Sequence, residues 1–132
     1  MQKITPCLWF DNQAEEAVAF YITVFAKTEV IALTRYDAAG AKASGMPEGS
    51  VLTIAFRLEG QDFMALNGGP VFQFTPAVSF IVSCKDQPEV DRFWERLSDG
   101  GEKGECGWLK DRFGVSWQVV PAVLDKMMMD AD

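Results

Sequence analysis

Histidine is absent from all 132 residues. That removes the side chain that most often moves protons near neutral pH. Ser-His-Asp and Cys-His catalysis go with it, as does every histidine-containing metal site. Cysteine is scarce: Cys7, Cys84 and Cys106 lie far apart, are odd in number and form no CxxC pair. Neither a structural zinc site nor a disulfide frame is expected from them, and free thiols suit a reducing cytoplasm. Basic charge is also short, with 12 Lys and Arg against 19 Asp and Glu and a net charge of −7. Without a basic stripe, nucleic acid is not an expected partner. No apolar run approaches membrane-spanning length, and the opening MQKITPC lacks the basic-then-apolar pattern of a signal peptide. The expectation is a cytoplasmic protein with no membrane partner.

What is present is an apolar fraction of 48%, enough for one domain with a core that needs no disulfides. KITPCLWF (3–10) reads as a strand. A helix follows near 12–26, with Ala14, Ala17, Val18, Tyr21, Val24 and Phe25 at helical spacing. Asn12 with Glu15 has the spacing of a capping box. Residues 28–36 read as a strand, and the Gly/Ala/Ser-rich stretch 37–50 as a mobile loop. VLTIAFRL (51–58) and DFMALN (62–67) form a hairpin about Glu59-Gly60-Gln61. AVSFIVSC (77–84) is another strand. A second helix is expected near 86–98, with Asp86 and Glu89 as its cap, Pro88 in its first turn and Gly100-Gly101 at its end. Two or three strands complete the chain, the last being VSWQVV (115–120). The order strand, helix, three strands thus occurs twice. Two βαβββ modules imply an α+β fold with curved mixed sheets around a cavity and helices on the outer faces.

Strand alternation divides each sheet into two faces. Leu52, Ile54, Phe56 and Leu58 oppose Val51, Thr53, Ala55 and Arg57; Val115, Trp117 and Val119 oppose Ser116, Gln118 and Val120. The larger apolar face should lie under the helices. The smaller, more polar face would line a pocket with Thr53, Arg57, Phe63, Asn67, Ser79 and Gln118, helped by Trp9 and Trp108. The candidate ligand-binding set is therefore Trp9, Arg57, Asn67, Trp108 and Gln118. Tryptophan offers stacking area, and Arg57 a directional charged donor. Asp62, Asp111 and Glu59 are the acid/base candidates, and Cys7 or Cys106 the thiol candidates, with Lys110 near Cys106 able to lower a thiol pKa. Structural roles compete with these: Asp111 can organise the 111–114 turn, and Cys7 and Cys84 can be small buried hydrophobes.

Four segments, KITPCLWFDNQAEEAVAFYITVF, ALNGGPVFQF, VDRFWERLSDGG and CGWLKDRFGVSWQVVP, resemble the PhnB-like family of the vicinal oxygen chelate superfamily. That superfamily includes glyoxalase I, bleomycin-resistance proteins and extradiol dioxygenases, and PhnB-like members often carry the label 3-demethylubiquinone-9 3-methyltransferase. The resemblance implies a single glyoxalase-like domain over 1–121, with modules about 3–68 and 76–120, and a tail at 122–132. Superfamily enzymes place His and Glu metal ligands on the first, fourth, fifth and last strands. Those places fall here near Thr5 or Pro6, at Asn67, near Ala77 and at Gln118, none of them imidazole or carboxylate. Neutral amides hold divalent cations weakly, so no metal and no other cofactor is expected. Two departures stand out: relatives often have a histidine where this chain has Val71, and relatives often extend into a longer helical tail where this chain reads MMMDAD.

The reading that follows is a metal-free protein that binds a small organic molecule, partly aromatic or anionic. An enzyme of the superfamily type without histidine ligands is the alternative, and a methyltransferase is what the family label suggests. S-adenosylmethionine enzymes of the usual kind carry a Gly-rich turn after the first strand of a doubly wound sheet, and FDNQAEE has no glycine there. The resemblance also implies a homodimer, for which Phe72, Phe74 and the Met127-Met128-Met129 run supply apolar positions.

Overall fold

The computed structural model describes residues 2–123, so the Met127–Met129 run lies outside the described residues. Two compact units divide the chain, the first ending at Gln73 and the second starting at Phe74. In the first, β1 (Cys7–Phe10), α1 (Ala14–Val24), β2 (Glu29–Arg35), α2 (Ala38–Ser44), β3 (Val51–Leu58) and β4 (Gln61–Asn67) follow in order. The second contains β5 (Ser79–Cys84), α3 (Gln87–Ser98), β6 (Glu102–Lys103), β7 (Trp108–Lys110) and β8 (Ser116–Pro121). The sheet orders are β1-β4-β3-β2 and β5-β8-β7-β6. Each has one parallel pair, β1 with β4 and β5 with β8, and antiparallel partners beyond it. The twofold βαβββ order read from the sequence is found, with α2 inserted between β2 and β3 of the first unit.

In the first unit α1 lies over β3 and β4. Its Ala17, Val18, Tyr21 and Val24 are buried against Leu8, Phe10, Ile54, Phe56, Leu58 and Phe63. Tyr21 stacks on Phe56 at 6.4 Å and Phe56 on Phe63 at 5.4 Å, aromatic pairs worth about 0.5–1.5 kcal/mol each beyond their burial. The β3–β4 turn is two residues long. Glu59 and Gly60 take φ of 50° and 83°, the left-handed pair that matches the twist of a tight hairpin, and the Glu59 carboxylate accepts from Ala26 N–H at 2.7 Å.

Three expectations change. The first strand starts at Cys7 rather than at residue 3; Pro6 has no N–H to give a ladder, although its carbonyl accepts from Met64 N–H at 2.9 Å. The stretch 37–50 is not a plain loop. It contains α2, with the Asp37 carboxylate accepting from Gly40 N–H at 2.7 Å and Gly45 closing the helix in the left-handed region. Alanine-rich sequence between an N-cap acid and a C-terminal glycine is a helix signal, and the Gly/Ala/Ser composition hid it. Finally, Asn12 does not cap α1. Its N-cap residue is Gln13, which makes no side-chain capping bond, and the cap comes from another strand.

The second unit is held by a buried carboxylate. Asp111 is 2% exposed. Its Oδ1 accepts from Phe113 N–H at 2.9 Å and Val115 N–H at 3.0 Å, and its Oδ2 from the Trp117 indole N–H at 2.9 Å. This organises the 111–114 turn and sets Trp117, with Leu109 and Val119, under Phe93 and Leu97 of α3. Asp86 caps α3 by accepting from Glu89 N–H at 3.0 Å, as the sequence suggests. Burial, reinforced by Glu89, opposed by Arg92 and reinforced again by Asp86, pushes the Cys84 thiol up to about 11, so Cys84 behaves as an inert core residue. Replacing Asp111 by Asn puts an amide among three donors. Asp111→Asn should lower the unfolding free energy by about 2–3 kcal/mol, the scale of one hydrogen bond to a charged group, read from the urea midpoint at unchanged m-value.

Candidate functional site

Register assigns every candidate to a face. On the first sheet, Trp9 pairs with Leu66, and Leu66 with Thr53. Cys7 pairs with Met64 and Met64 with Ala55, while Asp62 pairs with Arg57 and Arg57 with Glu29. Residues opposite one another share a face. Trp9, Leu66, Thr53, Met64, Ala55, Cys7 and Arg57 therefore share the face turned away from α1. Phe10 pairs with Asn67 and Phe56 with Phe63, which puts Asn67 and Phe63 on the helix side. The structure thus separates Asn67 and Phe63 from Thr53 and Arg57, with which the sequence reading had grouped them. The reason is parity: 53 and 57 match 62, 64 and 66 across the hairpin, not 63 and 67.

Asn67 is 3% exposed, and its amide is fully engaged. Its Oδ1 accepts from Ala14 N–H at 2.8 Å, and Nδ2 donates to Glu15 Oε1 at 2.7 Å and to the Val51 carbonyl at 3.1 Å. It therefore supplies the cap that α1 lacks locally and ties α1 to the ends of β4 and β3. The Tyr36 hydroxyl donates to the Asn67 carbonyl.

Arg57 is held by acids of its own sheet. Nε donates to Asp62 Oδ1 at 2.6 Å and Nη1 to Glu29 Oε2 at 3.1 Å. The Asp62 bond, before all else, raises the guanidinium pKa further above its ordinary value. Asp62, read from the sequence as an acid/base candidate, is thus an ion-pair partner, and its backbone is also tied to the Gln2 side chain. Along β4, Asp62 and Leu66 are four residues apart, so the Arg57 and Trp9 levels of the sheet are separated by ~13 Å at ~3.3 Å per residue.

Trp9 is half-buried and clasped by the segment after β4. Its indole N–H donates to the Gly69 carbonyl at 2.9 Å, and its ring meets the Phe72 ring edge-on at 4.9 Å. A Cβ on Gly68 would fall 2.3 Å from the indole, so only glycine lets the chain pass so close. On the same face partial burial pushes the Cys7 thiol up.

The second sheet repeats the division. Trp108 pairs with Gln118, and Gln118 with Ile81; Ser79, Ile81, Ser116, Gln118 and Trp108 share the face opposite the Trp117 core. Gln118 is half-buried and its Nε2 donates to Ser79 Oγ at 3.0 Å. Its Oε1 accepts no hydrogen bond among the described residues. Trp108 is placed by a tight turn in which Cys106 and Gly107 have φ of 56° and 82°, closed by Trp108 N–H donating to the Glu105 carbonyl at 3.0 Å. A Cβ on Gly107 would lie 2.4 Å from the Val119 carbonyl oxygen. Trp9 and Arg57 therefore lie on the open face of the first sheet, Trp108 and Gln118 on that of the second.

The places where the superfamily resemblance would put a metal do not fit one. Ala77 has no donor, the Asn67 amide is turned to the helix side, and Gln118 offers one neutral oxygen. Among the described residues no three His, Cys, Asp or Glu side chains gather as a ligand set.

A family model described as 3-demethylubiquinone-9 3-methyltransferase matches residues 2–120. Among solved structures, a PhnB protein from Bacillus cereus, described as a 3-demethylubiquinone-9 3-methyltransferase, is 36% identical. The match covers 90% of this chain and 99% of that one, with a TM-score of 0.75. The fosfomycin resistance protein FosX from Listeria monocytogenes is 17% identical over 96% of each chain, TM-score 0.66. A glyoxylase/bleomycin resistance protein/dioxygenase domain from Frankia is 12% identical over 92% of this chain and 93% of that one, TM-score 0.55. The last two establish likeness of fold. No curated protein matches the chain.

Substituting Gly68 tests the clasp on Trp9. Gly68→Ala should destabilise the protein by about 1–3 kcal/mol, the usual scale of overpacking. It should also shift tryptophan emission, because the indole must leave the Gly69 carbonyl. A variant with wild-type emission and urea midpoint would show that the clasp is loose.

Proposed function

The chain belongs to the PhnB-like family, described as 3-demethylubiquinone-9 3-methyltransferase, and we propose that it binds a small organic molecule without a metal. The observation that carries this reading is Gln118. It stands on the last strand, where the superfamily resemblance would put a glutamate ligand, beside Trp108 and with an amide oxygen that accepts nothing among the described residues. A neutral acceptor next to an aromatic wall suits an organic molecule with an N–H or O–H group. Asn67 would maintain the scaffold rather than touch the ligand, because its amide hydrogens are both engaged.

Methyl transfer of the usual kind gains no support. It needs a doubly wound parallel sheet with a glycine-rich turn leading into a helix, whereas each sheet here has a single parallel pair and α1 follows Asp11-Asn12-Gln13. The three cysteines are free thiols, which accords with a cytoplasmic protein. Val30, Ile31 and Leu33 of the edge strand β2 are 40–51% exposed, a surface suited to a homodimer contact.

Saturable change in tryptophan fluorescence with a neutral aromatic carrying an N–H or O–H is the expected outcome of a small-molecule screen. Gln118→Ala should weaken that binding roughly two- to ten-fold, since a neutral hydrogen bond contributes about 0.5–1.5 kcal/mol and ~1.4 kcal/mol is tenfold. Elemental analysis after dialysis should give metal well below one equivalent. Near-stoichiometric zinc, nickel or manganese, released in Gln118→Ala, would overturn the reading.

A further inference from the structure

We infer that β2 is the contact through which two copies of this chain pair, edge to edge and antiparallel, about a twofold axis at Ala32. The inference rests on the homodimer reading above and gives that contact its strand and register. Three observations lead to it.

First, β2 is an edge strand without the usual protection. It ends its sheet, with β3 as its one strand neighbour among the described residues, and all seven of its residues are exposed. Edge strands are normally blunted by proline, by charges along the strand or by a covering element. Between Glu29 and Arg35 the sequence VIALT holds neither proline nor charge. The ladder to β3 is irregular between Val30 and Ala32 and between Thr34 and Arg35, which twists the edge without making it polar.

Second, apolar side chains on this strand lie level with the core and yet stand in the open. Val30 is across from Phe56, and Leu33 from Ile54. Those partners are 0% and 4% exposed, whereas Val30, Ile31 and Leu33 are 51%, 40% and 45% exposed. The helix α1 lies over β3 and β4 instead. Clustered apolar surface of this kind marks a protein contact.

Third, the strand is complementary to itself. Antiparallel to a second copy, with Ala32 opposite Ala32, it brings Glu29 opposite Arg35, Val30 opposite Thr34 and Ile31 opposite Leu33. The charged ends then answer each other twice, once on either side of the axis, as an isologous contact requires. Both ends have capacity for a partner. Arg35 donates to the Gly49 carbonyl at 3.0 Å and pairs with no acid among the described residues. Glu29 gives Oε2 to Arg57, and its Oε1 accepts no hydrogen bond among the described residues. Opposite charges across a ladder stabilise it and like charges destabilise it, so a parallel, in-register pairing of the same strand is disfavoured.

Analytical ultracentrifugation of the intact protein tests the inference with two charge reversals, Arg35→Glu and Glu29→Lys. The wild type should dimerise. Each variant alone sets like charges opposite on both sides of the axis and should raise the dimer dissociation constant roughly tenfold. An equimolar mixture of the two variants restores opposite charges at both ends and should pair within about threefold of the wild-type constant. A misfolded variant would not be rescued by mixing. In a Cys7→Ser/Cys106→Ser background, Ala32→Cys should oxidise to a covalent dimer. Arg35→Cys should not, because its two copies lie ~20 Å apart along the ladder at ~3.3 Å per residue, beyond disulfide reach. A dimer that ignores both reversals, or two weakened variants that gain nothing on mixing, overturns this inference and leaves the homodimer reading standing. A wild type that stays monomeric to millimolar concentration overturns both and does not touch the small-molecule reading.

Discussion

The first unit depends on one amide. Asn67 ends β4, yet its side chain reaches under the start of α1, accepts from Ala14 and donates to Glu15 and to the Val51 carbonyl. A helix N-terminus leaves backbone N–H groups without partners, and a buried one must find them. Gln13 supplies none from its side chain. Without Asn67 the α1 terminus and the Val51 carbonyl would both be orphaned in the core, at about 1–3 kcal/mol each. The helix is thus fixed over β3 and β4 by a strand residue, and the open face of the sheet is whatever α1 does not cover. Asp111 does the same kind of work in the second unit, gathering two backbone N–H groups and the Trp117 indole. In both units a single buried polar side chain, fully hydrogen-bonded, sets which way the sheet faces.

That arrangement separates scaffold from site. The amides Asn67 at the end of β4 and Gln118 within β8 look equivalent in the sequence. Asn67 falls on the helix side and is consumed there; Gln118 falls on the open side and keeps one amide oxygen unengaged among the described residues. A one-residue difference in parity decides this, because side chains alternate with period two. The same register gives Arg57 acidic partners. It is on the open face, but so are Asp62 and Glu29, directly across in register.

Much of the fold was legible because its signals are local. The stripes of Val18, Tyr21 and Val24 and of Phe93 and Leu97, the Asp86 cap and the Glu59-Gly60 turn all act within a few residues. The α2 helix was missed, because its Gly/Ala/Ser composition reads as loop although Asp37 and Gly45 flank it as cap residues. The Asn67 cap was not legible, since Ala14 and Asn67 are 53 residues apart and only the ladder brings them together. The candidate site was legible as a list of residue types and not as a geometry. Trp9 and Gln118 were singled out because aromatic and amide side chains stand out on otherwise apolar strands. The neutralisation of Arg57 needed the β2–β3 register, which contains two irregularities that sequence alternation alone does not reveal.

Gln118 is then best understood through charge. A glutamate at that place would need a cation to justify its half-buried carboxylate, since burying an unpaired charge costs far more than burying an amide. With no imidazole anywhere in the chain and Ser79 as its hydrogen-bond neighbour, the position has no cationic partner on its own sheet face nearer than the exposed Lys110, two residues along the ladder. An amide meets that environment at little cost: it donates to Ser79 and presents an acceptor beside Trp108. The absence of imidazole from the chain and an amide rather than a carboxylate at Gln118 thus belong together. Under the proposed reading, such a surface would recognise shape, aromatic area and one or two hydrogen bonds.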